Sequence, residues 1–246
     1  GDIEQVAQEE YPLIFPNDGW VEIDPEDLYK SVTNTLNQLD LTNVKFGGIT
    51  NQRETTIIWD KDTLKPVYNA IVWQDRRTSA YCTEISTDTN QSLVKQKTGL
   101  LIDSYFSATK IKWILDNVNG ARDKAEAGKL CFGTVDTYLM YRLSSGNIFK
   151  TDITNASRTM LFNINTLRWD EELLKLFDIP KTLLPEVLHS DSCFGSLSEL
   201  GDISIHAVLG DQQAALFGQG CLEKGQLKST YGTGCFVMSN VGDKPI

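Results

Sequence analysis

Apolar residues recur along this chain with two alternating periods, and the alternation predicts an α/β layered fold. Leu28, Val32, Leu36 and Leu39 repeat at helical spacing behind Asp24-Pro25, an N-cap residue followed by proline in the first turn. Lys45 to Thr50 and Thr55 to Trp59 read as strands on either side of a polar loop, Asn51-Gln52-Arg53-Glu54. Val67 to Trp73 extends this β-rich stretch, and Val6 to Leu13 also has a strand-like pattern. Helical spacing returns at Ser107 to Val118, Thr134 to Leu143 and Asp170 to Phe177, after which Pro180 and Pro185 mark a loop. Toward the end, Ser204 to Leu209 alternates as a strand, Asp211 to Phe217 is helical, and Leu227 to Tyr231 leads as a strand into Gly232-Thr233-Gly234.

Composition narrows the class. A length of 246 residues fills one large domain, or one domain and part of a second. The chain enters a strand-like stretch directly from Gly1 and stops at Ile246 soon after another strand, so both ends are expected to be cut from something longer. With 41% hydrophobic and 23% charged residues there is material for a core, and wholesale disorder is excluded. A net charge of -10 argues against nucleic acid as a partner, since a phosphate-tracking surface needs clustered Lys and Arg. Cys82, Cys131, Cys193, Cys221 and Cys235 show no zinc-type spacing, and the expected setting is the reducing cytoplasm. No apolar run is long enough to span a bilayer, so membrane insertion is not expected.

Several residues can carry chemistry. Asp211 stands where a strand gives way to a helix, the place at which open α/β sheets hold ligands. A carboxylate there can take a proton from a hydroxyl or face a magnesium ion, but position alone equally suits a helix cap. Gly232-Thr233-Gly234 can expose backbone N–H groups to phosphate, or simply turn a hairpin. Arg53 and Glu54 set a planar donor fork beside an acceptor, which suits a polyol; the alternative is a surface ion pair. Trp73 and Tyr105 can wall a small ligand or fill the core. Asp75-Arg76-Arg77 reads as an ion-pair cluster, and His189 and His206 as structural.

Taken in order, the motifs closely resemble the FGGY family of carbohydrate kinases, and within it the members that phosphorylate glycerol. The resemblance rests on Pro16-Asn17-Asp18-Gly19-Trp20-Val21-Glu22, Gly48-Ile49-Thr50-Asn51-Gln52-Arg53-Glu54-Thr55-Thr56 and Asn69-Ala70-Ile71-Val72-Trp73-Gln74-Asp75-Arg76-Arg77. It continues through Tyr105-Phe106-Ser107-Ala108-Thr109-Lys110, Thr154-Asn155-Ala156-Ser157-Arg158-Thr159, Gly210-Asp211-Gln212-Gln213 and Tyr231-Gly232-Thr233-Gly234-Cys235-Phe236. The resemblance implies an RNase H-like, actin-like ATPase fold with a mixed sheet flanked by helices. Residues 1–219 would be most of an N-terminal substrate-binding domain, and 220–246 the start of a second domain.

By that resemblance Arg53, Glu54, Tyr105, Asp211 and Gln212 hydrogen-bond the glycerol hydroxyls, while Trp73 and Phe236 pack on its carbon chain. Asp211 is the base for the attacking hydroxyl and helps place Mg2+, directly or through water; Gly232 and Thr233 meet the phosphate passed on from ATP. The implied partners are glycerol, ATP and ADP, and the full-length enzyme is expected to be a homo-oligomer. The stretch from Cys193 to Ile205 is shorter than usual for the family, which leaves open any regulation located there.

Other kinases of the family act on ketopentuloses or gluconate, but these need a wider pocket than bulky Trp73 and Phe236 leave. A polyol-binding module without catalysis gives no use for Asp211 and Gly232-Thr233-Gly234. An actin-like ATPase gives none for Arg53, Glu54 and Trp73. The family's first phosphate hairpin and its adenosine pocket fall outside these residues, so this chain by itself is expected to have little or no activity.

Overall fold

A computed structural model describes residues 2–201, 203–232 and 234–244. At its centre the strand Ile203–Gly210 lies between two partners: Gly195–Leu197, antiparallel to it, and Phe46–Asn51, parallel to it. The register pairs Gly210 with Asn51, so the two parallel strands finish level and their following loops leave from the same edge. Beside this sheet, Ile57–Asp60 pairs antiparallel with Leu130–Gly133, and Lys150–Asp152 runs parallel to Glu186–Leu188. The β-structure is therefore mixed, as the resemblance implies.

Helices cover both faces because the strands bury both of theirs. Ile58 and Phe132 pack with Ile111, Ile114, Leu173 and Phe177, which come from the helices Ser107–Asn117 and Glu171–Phe177. Their sequence neighbours Ile57, Trp59 and Cys131 turn the other way, toward Leu28, Val72 and Tyr138 on the far side. Such opposite placement of successive residues is what period-two backbone enforces. A third cluster, Phe194, Leu197, Ile205 and Val208 against Met140 and Leu143, seats the central strand on the helix Val135–Leu143.

Local signals fix the element ends. Asp24 accepts a hydrogen bond from Glu26 N at 2.8 Å and starts the helix Pro25–Leu36, while Asp170 caps Glu171–Phe177 in the same way. Two expectations fail. Val6 to Leu13 forms no strand: Ile14 alone makes a bridge, with Glu22, and Val6 is 77% exposed, so this stretch has no partner among the described residues for its backbone groups. Of Val67 to Trp73 only Ala70–Ile71 pairs as a strand, with Glu22–Ile23, since Pro66 and the turns around it break the ladder. The helices Ser79–Ile85, Asp88–Thr98 and Ala121–Glu126 were not foreseen. No helix among the described residues is long and apolar enough to cross a membrane.

Candidate functional site

The level ends of the two parallel strands bring Arg53 and Asp211, far apart in sequence, into contact. Arg53 Nε lies 3.0 Å from Asp211 Oδ1 and 3.9 Å from Glu54 Oε1, and Arg53 Nη1 donates to Gln213 Oε1 at 3.1 Å. The contact with Asp211 is an ion pair off the hydrogen-bonding line. Arg53 Nε and Asp211 Oδ1 are consequently both buried without a hydrogen-bond partner among the described residues. The ion pair offsets part of the cost of burying them, and an incoming hydroxyl, which both donates and accepts, can hydrogen-bond either one.

Asp211 is not the cap. The helix Asp211–Gly218 is preceded by Gly210 at its N-cap, with no side-chain cap, and Asp211 occupies the first turn with its carboxylate turned to Arg53. Backbone N of Gly210 donates to Thr154 Oγ1 at 2.8 Å, and that hydroxyl in turn donates to Asp152 Oδ2 at 2.6 Å. The strand end is thereby tied to the short helix Ile153–Ala156.

Glu54 is almost completely buried and sits at φ 60°, a conformation uncommon outside glycine. Its carbonyl accepts from Thr56 Oγ1 at 3.0 Å and Ser107 Oγ at 3.1 Å, which hold the turn, while Arg158 Nε donates to Oε1 at 2.6 Å. Burial pushes the Glu54 carboxyl up from its ordinary range, and the charges of Arg158 and then Arg53 oppose that shift. The surface ion pair left open by sequence is thus replaced by a buried acceptor between two guanidinium groups.

An aromatic wall stands beside these charges. The Trp73 ring is 5.7 Å from Tyr105 and 6.2 Å from Phe236, edge to face in both cases, and Arg158 lies over the Tyr105 and Phe106 rings. Trp73, Tyr105 and Phe236 all remain partly exposed, so the wall keeps an open face. Behind it Lys110 is fully buried, donating to the carbonyls of Ser104 and Tyr105 at 2.6 Å and of Phe106 at 3.2 Å. Burial pushes the Lys110 ammonium down to about 7, against the charges of Glu54 and Asp75. Three carbonyl acceptors match three N–H donors, so the charged form is the one this geometry holds.

Gln212 is buried with its amide engaged at both ends: Nε2 donates to Asp211 Oδ2 at 3.2 Å and Oε1 accepts from Lys228 Nζ. Gly232 lies in the turn joining the antiparallel strands Leu227–Tyr231 and Cys235–Ser239, and its N–H donates to Gly234 O at 3.1 Å. Thr233 lies outside the described residues. Arg158, Lys110 and Lys228 were missed as site residues. Arg158 and Lys110 fall within quoted motifs, whereas Lys228 sits in an ordinary strand pattern that gave no signal.

Elsewhere, Asp75-Arg76-Arg77 is an ion-pair cluster. Arg77 bonds Asp75 and Glu22 at 2.7 to 3.0 Å and stacks 3.9 Å from the Trp20 ring centroid and 4.6 Å from that of Trp113, while Arg76 pairs with Asp103 at the surface. His206 packs edge-on against Phe46. No group of three His, Cys, Asp or Glu among the described residues could hold a metal ion.

Comparison with known proteins bears on this arrangement. Residues 1–218 match the N-terminal domain of the FGGY family of carbohydrate kinases. The chain is 56% identical over 254 residues to a glycerol kinase of Alteromonas mediterranea, covering 99% of the chain and 51% of that relative. It is 53% identical over 257 residues to a glycerol kinase of Francisella philomiragia, covering 100% of the chain and 52% of the relative. A crystal structure of Plasmodium falciparum glycerol kinase with ADP superposes with a TM-score of 0.91 at 40% identity, over 96% of this chain and 49% of that one. A xylulose kinase from Lactobacillus acidophilus shares the fold, with a TM-score of 0.82 at 21% identity over 93% of this chain and 48% of the other. The chain spans about half the length of the curated relatives it matches.

Proposed function

Because this chain belongs to the FGGY family of carbohydrate kinases, we propose that it carries the glycerol-binding half of an enzyme that transfers phosphate from ATP to glycerol, giving glycerol 3-phosphate. The observation that carries this is the Arg53–Asp211 contact, which leaves a buried donor and a buried acceptor unmet beside an aromatic wall. Hydroxyls of a small polyol answer both the donor and the acceptor, and its carbon chain answers the wall. Residues 1–219 form the substrate-binding domain, and residues 220–246 begin the second one.

In this reading Arg53, Glu54, Tyr105, Asp211 and one remaining amide hydrogen of Gln212 hold the hydroxyls, while Trp73 and Phe236 cover the carbons. Asp211 takes the proton from the attacking terminal oxygen, its carboxylate standing beside Arg53 at the edge where the two parallel strands end. Gly232 and Thr233 meet the transferred phosphate. Asp211 would also help hold magnesium, directly or through water, since a single carboxylate suits an ion that keeps water and phosphate oxygens as its other ligands. Charge neutralisation on the phosphates is what that ion supplies.

The bulk of Trp73 and Phe236 favours a three-carbon acceptor over a ketopentulose or gluconate. The test is phosphorylation of glycerol, xylulose and gluconate by the full-length enzyme that contains these residues. Glycerol should be preferred by orders of magnitude in kcat/KM; comparable turnover of xylulose would overturn the substrate assignment. The 246-residue chain alone should show little or no transfer.

A further inference from the structure

Lys228 is buried to 3% exposure in the strand Leu227–Tyr231, and no carboxylate among the described residues pairs with it. A lysine in that position is unusual, because an unpaired ammonium is costly to remove from water. Its contacts are two neutral oxygens, Gln212 Oε1 and, at 2.7 Å, Thr230 Oγ1.

The chemistry of the ammonium gives this contact a consequence. An ammonium only donates, so the oxygen end of the Gln212 amide must face it and the NH2 end must face the other way. The other way is Asp211 Oδ2, 3.2 Å from Nε2. With the amide reversed, Gln212 would present its oxygen to a carboxylate and its NH2 to a cation, two repulsive contacts in place of two attractive ones. Arg53 faces the second carboxylate oxygen, so each oxygen of Asp211 has one donor group turned toward it.

We propose that Lys228 is a positioning residue for phosphoryl transfer, fixing the orientation of the Gln212 amide and through it the Asp211 carboxylate. The role in transfer rests on the reading of Asp211 as the base. Lys228 belongs to the strand that leads into the Gly232 turn, so the same side chain links the polyol site to the hairpin proposed to meet phosphate.

The test uses the side-chain amide signals of Gln212 in this chain, identified by their loss in Gln212→Leu, in the wild type, Lys228→Met and Lys228→Arg. Melting temperature and glycerol affinity are measured alongside. Lys228→Met removes an unpaired buried charge while keeping volume, so its melting temperature should hold or rise. Its Gln212 amide protons should nevertheless exchange with solvent about tenfold faster and glycerol should bind about tenfold more weakly, the weight of one charge-assisted hydrogen bond. Lys228→Arg, also a pure donor, should restore both. Unchanged Gln212 signals in folded Lys228→Met overturn the proposal. So does a loss of protection that merely follows a fall in melting temperature in both variants. If the wild-type chain fails to bind glycerol, the substrate reading falls, and the amide signals still decide what Lys228 does.

Discussion

A methyl group at position 210 would lie 2.5 Å from Arg53 Cδ and 2.6 Å from its Cγ. Gly210 has an ordinary negative φ of -61°, so its need for glycine comes from this approach and not from backbone strain. Gly210→Ala should displace the Arg53 side chain from Asp211 and Gln213 at an overpacking cost of about 1–3 kcal/mol. Glycerol affinity, followed by ligand-observed NMR, should fall at least about tenfold while circular dichroism stays native. Wild-type affinity in Gly210→Ala would mean that Arg53 is not a ligand.

Arg158 bonds Glu54 at 2.6 Å and covers Tyr105 and Phe106, so it supports an acceptor and the aromatic wall together. Arg158→Ala leaves the Glu54 carboxylate buried with Arg53 as its one remaining guanidinium, 3.9 Å away. A loss of about 3 kcal/mol in denaturant unfolding is expected, together with weaker glycerol binding. Arg158→Lys should recover little of either, because an ammonium cannot stack flat on the two rings.

Arg77 tests the frame behind the site. Its guanidinium pairs with both Asp75 and Glu22, which are buried, between Trp20 and Trp113. Arg77→Met should cost about 3–5 kcal/mol by stranding two carboxylates, measured as a lower urea midpoint. A midpoint shift equivalent to less than about 1 kcal/mol, once multiplied by the m-value, would show that the cluster is not a structural anchor.

Asp136 gives a pH signature. It is fully buried, accepts from Asn51 Nδ2 at 3.1 Å and Thr151 Oγ1 at 2.8 Å, and is pushed up to about 6 by burial and then by the charge of Asp152. The folded state therefore holds this proton more tightly than the unfolded chain, so the group's stabilisation is complete below pH 4 or so and is lost as pH rises through about 6. Other carboxylates pull the other way, which makes the difference between variants the useful quantity. Asp136→Asn should gain on the order of 2–3 kcal/mol relative to wild type between pH 4 and 7. A pH-independent difference between the two would contradict the assignment.

Much of this was legible from pattern alone. Phe46–Asn51 and Ile203–Gly210 each alternate or follow turn signals closely enough to be placed within about two residues, and Asp24 and Asp170 announce their helices. The parallel pairing of those two strands was not legible, since register depends on packing across 150 residues of intervening chain. Without it, Asp211 reads as a helix cap and Arg53-Glu54 as a surface pair; with it, they share one site. Asp88–Thr98 escaped notice because its face is largely polar, although Thr87 and Gly99 bracket it as caps. Lys228 was invisible for a related reason, a lysine in an edge-like strand being the normal sign of exposure.

Glycerol binding to this chain, measured by ligand-observed NMR with Asp211→Asn and Arg53→Ala as folded controls, tests the central claim most directly. Saturable binding that both substitutions weaken is the expected result and places the polyol between Arg53, Asp211 and the aromatic wall. Equal binding in all three folded proteins, or none in the wild type, would contradict a glycerol site built on the Arg53–Asp211 contact.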